Sequence, residues 1–290
     1  MSDRDWSSDV CSSDLVGNNK LKLVHRATTR LSALIDLIEN AEKTLKIFFY
    51  MFEEDDIGNR VLDRLVKACE RGIAVELIVD SFGSNGASKN FFDPLIYAGG
   101  KFAIFSPRFA TSYFVRNHQK IAIADDARAL VGGFNIASQY FDEDEEPEAN
   151  STDWEDLGLE IQGPEADKLA EYYERLSQWV YQNNGNMRSL RRMVKNWEAG
   201  DSQFRWLLGG PSNRLSPWAR AIKRDLEKGK RFDLVTAYFS PGQGMLRRIA
   251  ALSKRGGSSR LVLAGKTDNA ARSEERRVGK ECRSRWWPEH

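Results

Sequence analysis

Short apolar runs alternate with longer amphipathic stretches along most of this chain, and the alternation predicts strands and helices in turn. Residues 21–24 read as a short strand. Thr29 then stands where a helix cap would, ahead of Leu31, Leu34, Ile35, Leu37 and Ile38, which fall on one stripe at helical spacing. Residues 47–52 are nearly continuous in apolar side chains, as a strand covered on both faces requires. An acidic loop at 53–56 leads into a second amphipathic helix bearing Val61, Leu62, Leu65 and Val66, which Arg71-Gly72 stops. Val75, Leu77, Ile78 and Val79 then predict another buried strand, ending at Asp80. Strand, helix and strand at this spacing make a βαβ unit with parallel pairing. The Gly/Ser/Asn-rich loop 81–88 follows at the carboxyl end of a strand, where open α/β sheets place their ligands. A helix near 91–97, a strand at 102–105 and an aromatic loop at 107–113 come next.

The pattern then changes to a hairpin that carries chemistry. His118 and Lys120 are two apart in a run that reads as a strand, with apolar Ile121 and Ile123 alternating against Ala122 and Ala124. Period two puts His118 and Lys120 on one face and lets the isoleucines anchor the other. Asp125-Asp126-Ala127 supplies turn residues and Ala129-Leu130-Val131 the returning strand. Asn135 lies just past it, after Gly132 and Gly133, which let the backbone approach closely. A nucleophile or base, a cation and an amide donor on one rigid hairpin suit a phosphodiester. Its anionic oxygens need fixed positive and donor groups, and an imidazole can attack phosphorus or move a proton.

Beyond the hairpin, residues 142–148 form a dense acidic run, read as a solvated Pro-containing loop. Residues 154–161 alternate as a strand, Gly163-Pro164 breaks it, and a long helix is expected over 166–181. The stretch 183–201 is polar and basic, with Arg188, Arg191, Arg192 and Lys195; it reads equally as a surface for anionic lipid headgroups or as a linker. From residue 204 the early pattern restarts: strand 204–208, helix 217–226, buried strand 233–239, helix 246–252 and strand 260–264. The run 232–239, Lys254-Arg255-Gly256 and on to Leu263 repeats 45–52, Glu70-Arg71-Gly72 and on to Val79.

Composition narrows the partners. A formal net charge of +1 does not point to nucleic acid, and no apolar run is long enough to span a bilayer. Residues 5–15 read as one translated short-read sequencing adapter and 272–286 as its partner, so 1–15 and 272–290 are set aside as scars and the rest is expected to be a fragment of a longer reading frame. Of three cysteines, Cys11 and Cys282 go with those ends. Cys69 alone supports neither a disulfide framework nor a metal cluster, and His25, without a motif partner, reads as structural.

His118-x-Lys120, four residues, Asp125, six residues, then Gly132-Gly133-Phe134-Asn135 resembles the signature of the phospholipase D superfamily. Asp55-Asp56-Ile57-Gly58, Arg71-Gly72-Ile73, Arg116-Asn117 before the signature histidine, Asp156 before Gly163-Pro164, and Ala237-Tyr238-Phe239-Ser240-Pro241 extend the likeness to bacterial cardiolipin synthases of the short type without transmembrane helices. The resemblance implies an α/β phospholipase D-like fold with a mixed, mostly parallel sheet flanked by helices. One complete domain would span 16–185, a linker 186–202, and the beginning of a second domain 203–271.

By the same resemblance, His118 would form a phosphohistidine intermediate, and Lys120 and Asn135 would hold the phosphoryl oxygens. Asp156 would accept from the other imidazole nitrogen, while Asp125, Gly132 and Gly133 would be structural. A second histidine, the general acid toward the leaving alcohol, has no counterpart here. The implied reaction is phosphatidyl transfer between phosphatidylglycerol molecules at the cytoplasmic face of the inner membrane, by a peripheral protein, with no metal or cofactor and no nucleic acid. With one signature the fragment is expected to be inactive alone unless a homodimer pairs two hairpins through the active-site face. The rival readings are a hydrolytic phosphodiesterase or dimeric nuclease of the superfamily, and an inactive membrane-surface protein that kept the fold.

Overall fold

A computed structural model describes residues 14–106, 116–141, 156–183, 187–195, 197, 199–200, 203–209, 216–236, 239 and 241–263. The chain divides into two compact units, 1–212 and 213–290. The first is built on an eight-stranded sheet. Its strands are β1 (Asp14–Val16), β2 (Asn19–Val24), β3 (Thr44–Phe49), β4 (Ala74–Asp80), β5 (Lys101–Phe105), β6 (Lys120–Ala124), β7 (Arg128–Gly132) and β8 (Gly158–Gln162), in the order β1-β2-β8-β7-β6-β3-β4-β5.

The sheet is mixed, as expected, but mostly antiparallel. Only β3–β4 and β4–β5 are parallel, while β1–β2, β2–β8, β8–β7, β7–β6 and β6–β3 run antiparallel. Local periodicity exposed the βαβ half; the antiparallel half is made by β6 joining β3 and β8 inserting between β2 and β7, pairings between distant segments that no local pattern encodes.

Helices α1 (Ala27–Glu39), α2 (Asp56–Glu70) and α3 (Asp93–Tyr97) cover one face; α4 (Pro164–Asn183) and α5 (Met187–Lys195) belong to the other. The stripe Leu31, Leu34, Ile35, Leu37 and Ile38 of α1 is buried as its spacing requires. Thr29 does not cap it: the helix begins two residues earlier, and the Thr29 hydroxyl donates back to the Arg26 carbonyl at 2.8 Å. Asp55 caps α2, its Oδ1 accepting from Gly58 N at 2.8 Å, and Gly58 is glycine because a Cβ there would strike the Glu53 carbonyl.

The alternation along β6 is a division between two cores. Ile121 and Ile123 pack with Phe48, Ile78 and the α4 residues Tyr173, Leu176 and Trp179, whereas Ala122 and Ala124 face the core beneath α1 and α2. Cys69 is a free, partly buried cysteine packed against the latter.

The segment expected as a linker, 186–202, carries α5, with Leu190 and Trp197 buried against α4's side of the sheet. The strand expected at 204–208 is two residues of β10 (Arg205–Trp206), paired with β9 (Ala199–Gly200); Phe204 and Trp206 pack into the first unit, and Trp206 Nε1 donates to Glu165 O at 3.1 Å. The expected strand 154–161 is β8, which starts at Gly158. The aromatic loop 107–113 and the acidic run 142–148 lie outside the described residues, as do both adapter-like ends apart from Asp14 and Leu15 in β1.

The second unit contains α6 (Pro217–Lys228), β11 (Arg231–Thr236), α7 (Gln243–Lys254) and β12 (Ser258–Leu263), with β11 and β12 parallel. It repeats α1-β3-α2-β4 down to single bonds. Gly72 and Gly256 both adopt positive φ, 87° and 79°. Arg71 Nη2 donates to Ile38 O at 3.0 Å where Arg255 Nη2 donates to Leu226 O at 3.0 Å, and Ala74 N to Lys43 O where Ser258 N bonds to Lys230 O, both at 2.9 Å.

Candidate active site

The site lies at the end of β3 and the start of β6. Residues 50–52 leave the sheet and are held from both sides: Tyr50 N donates to Gln119 O at 3.1 Å, Ile136 N to Met51 O at 3.1 Å, and Glu53 N to Ile136 O at 2.9 Å. The second Asp55 oxygen accepts from Ser138 N at 2.6 Å, tying the start of α2 to the segment after Asn135.

His118 precedes β6 rather than lying within it, and it is exposed. Lys120, the first residue of the strand, is 4% exposed and points back along the loop. Its Nζ lies 2.7 Å from His118 Nδ1 and donates to the His118 carbonyl at 2.8 Å. The Tyr50 ring sits 4.2 Å from the imidazole, centroid to centroid, and the Lys120 ammonium lies 5.4 Å from the same ring. Partial desolvation of the ring and then the adjacent ammonium push His118 down to about 4, so the imidazole is neutral at pH 7. Burial lowers Lys120 to about 8, against the attraction of Asp156.

Asn135 is buried; its Oδ1 accepts from Met51 N at 3.2 Å and its Nδ2 donates to Tyr140 Oη at 2.8 Å. Asp156 accepts from Leu157 N at 2.7 Å and lies against Gly133, where any Cβ would collide with its carboxylate. Gly132 is similarly confined by the Phe134 ring. The carboxylate of Asp156 is pushed above the usual carboxylate range by burial, against hydrogen bonds and the charges of Arg30 and Lys120. The structure thus brings Asp156 within electrostatic reach of Lys120, and the group it sets at the second imidazole nitrogen, Nδ1, is Lys120. Asp125 lies away from the chemistry, at the hairpin turn, where Asp125 and Asp126 have φ of 56° and 55°. Its carboxylate accepts from the backbone of Glu42, Lys43 and Thr44; burial works against ionisation, but those three bonds hold it below the usual range.

Three residues matter here that sequence reading passed over. Arg30 is 2% exposed and donates to the carbonyls of His25, Asp156 (2.8 Å) and Tyr140 (2.7 Å), clamping three loops at the site. Its signal was a cation one turn before Leu34, on the apolar stripe. Asp80, fully buried, accepts from Phe82 N and Asn117 N, both at 2.9 Å, and so pins the residue before His118. Tyr172 donates to Gln119 Oε1 at 2.9 Å from α4. Nothing local distinguished these last two from core residues. His25 contributes its carbonyl, to Arg30. Among the described residues no group of His, Cys, Asp and Glu side chains is arranged to hold a metal ion, and no helix is long and apolar enough to cross a membrane.

A two-core α/β sheet displaying His-x-Lys at the head of a hairpin, with Asn135 behind it, defines the phospholipase D superfamily, and the chain belongs to it. Within that superfamily the match is to cardiolipin synthases. The family described as "Cardiolipin synthase, PLD-like domain" matches residues 34–176. Cardiolipin synthase of Clostridium perfringens is 32% identical over 87% of this chain and 54% of its own length, and cardiolipin synthase B of Salmonella typhimurium 26% identical over 86% and 61%. The chain thus spans about half the length of the curated relatives it matches. The solved phosphatidylserine synthase of Haemophilus influenzae, 15% identical, shares the fold with a TM-score of 0.68 over 91% of this chain and 70% of that one.

Proposed function

We propose that this chain carries the nucleophilic half of a phosphatidyltransferase of cardiolipin synthase type, with phosphatidylglycerol as the donor. The observation that carries the reading is the neutral, exposed His118 held by a buried lysine ammonium on a rigid strand. His118 Nε2 attacks phosphorus, the bond to the leaving glycerol oxygen breaks, and a phosphohistidine holds the phosphatidyl group until the hydroxyl of a second phosphatidylglycerol takes it. Lys120 neutralises charge on the phosphoryl oxygens, and Asn135 donates to them with the amide hydrogen that Tyr140 does not use.

In the free enzyme, Nδ1 accepts from Lys120, which leaves the ring proton on Nε2. Attack therefore needs that proton moved to Nδ1. An arriving phosphoryl group favours this by drawing the ammonium to itself, and Asp156 then serves as acceptor for Nδ1–H. The leaving alkoxide needs a proton from an acid that the single His-x-Lys within these residues does not supply, so with lipid the first step itself stalls before the glycerol oxygen departs. The reading makes this a peripheral protein of the cytoplasmic face of the inner membrane.

A leaving group that needs no proton tests this directly. With bis(p-nitrophenyl) phosphate the purified chain is expected to release about one p-nitrophenolate per molecule and then stop, with a matching mass increase on His118. A missing burst, or one unchanged in His118→Ala, would refute the nucleophile assignment. Sustained turnover rising with the square of chain concentration would replace the transferase half-site with a phosphodiesterase in which two copies pair their hairpins.

A further inference from the structure

We infer that the outer face of α5 is the surface by which this chain seats on an anionic bilayer, its arginines paired with lipid phosphates. The inference rests on the reading of the chain as a phospholipid-processing enzyme and names the part that finds the membrane.

The helix, Met-Arg-Ser-Leu-Arg-Arg-Met-Val-Lys, contains four cations and no acid. At 100° per residue Arg188, Arg191 and Arg192 share one side, while Leu190 and Met193 share the other. The fold uses the two sides differently. Leu190 is 3% exposed, Met193 packs on the same core, and Trp179 Nε1 donates to Ser189 Oγ at 2.8 Å, locking α5 onto α4. Arg188, Arg191 and Arg192 are exposed. Because Leu190 and Met193 are already covered by protein, they are not available to insert among acyl chains, and the exposed side offers its arginines, in a chain whose formal net charge is only +1.

The position fits the task. Two residues beyond the helix, Trp197 packs against Tyr172 with ring centroids 5.0 Å apart and the planes tilted by 48°, and Tyr172 bonds to Gln119, the neighbour of His118. The carboxyl end of α5 is therefore linked through two aromatic side chains to the nucleophile's loop. A helix of this length is about 13 Å long. A row of cations on it matches the array of headgroups in a bilayer plane, where each Lys or Arg is worth about fivefold in partition.

The test is sedimentation of the whole chain with vesicles of phosphatidylcholine containing none or 40% phosphatidylglycerol, at low and high salt. Binding is expected only to the anionic vesicles, and to fall steeply with salt. Arg188→Gln/Arg191→Gln/Arg192→Gln should lose at least tenfold in partition. Arg26→Gln/Arg60→Gln/Lys67→Gln, the same charge change at the N-cap of α1 and on α2 of the opposite layer, should lose less than twofold. Should the α5 triple fail to fold by circular dichroism, the single Arg192→Glu and the wild-type salt dependence carry the same reading. Salt-insensitive binding, equal loss in the two triples, or no binding would overturn the inference. So would equally tight capture of a duplex DNA oligonucleotide through the same arginines. Vesicle binding does not depend on turnover, so it can persist if the p-nitrophenolate burst fails, and the reverse.

Discussion

Lys120 is nearly as buried as a core leucine, yet the chemistry asks it to stay charged, and the two demands pull against each other. Burial holds its ammonium at about 8, so at pH 7 the folded chain retains a proton it would release more readily than the unfolded chain does. Between pH 8 and 10.5 the unfolded state binds more protons. This group therefore lowers stability below pH 8, and the penalty disappears as pH rises through that window. Replacing Lys120 by Met should raise stability at pH 7 by ~1–3 kcal/mol in denaturant unfolding, while abolishing the p-nitrophenolate burst. The same substitution removes the cation beside the imidazole. The His118 titration, followed by NMR, should accordingly move up from about 4 toward its ordinary 6.5. An unchanged or lower value would mean that the ring's surroundings, and not Lys120, keep it neutral.

The hairpin β6–β7 separates the residues that act from those that hold them. Asp125 is in the signature but receives three backbone N–H groups from the turn before β3, fastening the hairpin to its neighbour. Asp125→Ala leaves those donors without their acceptor and should cost ~2–3 kcal/mol, seen as a lower urea midpoint, with the burst per folded molecule unchanged. A lost burst in a still-folded variant would place Asp125 in the chemistry. Gly133 works in the opposite sense. It bears no group, but only a hydrogen fits against the Asp156 carboxylate. The glycines of the signature are thus occupied by protein: their openness admits Asp156 and the Phe134 ring.

Across the two units the same clamp recurs, an arginine at the end of the second helix bonded to the end of the first, followed by a glycine at positive φ. Arg255→Ala should cost ~1–2 kcal/mol in the second unit. Hydrogen exchange should quicken in β11 and β12 and stay unchanged in β3 and β4. Acceleration in both would mean that the units do not unfold separately.

The alternation of apolar and polar positions was enough to place most helices and strands, because burial on one stripe or one face leaves a period in the chain. The signature named His118, Lys120, Asp125 and Asn135 because those residue types at that spacing suit one chemistry, and the Arg-Gly pairs marked the repeat. Local spacing did not carry the partners that come from far away. The antiparallel half of the sheet joins β3 to β6 and β2 to β8, so parallel pairing was overestimated. Arg30 looked like a flanking cation until three carbonyls from separate loops converged on it. The basic stretch 183–201 reads alike as a lipid surface or a linker, and its local pattern does not say that Leu190 and Met193 meet the core shared with α4. Period is local and contact is not: a residue's face can be read from its neighbours in sequence, but what meets that face is decided only when the chain closes on itself.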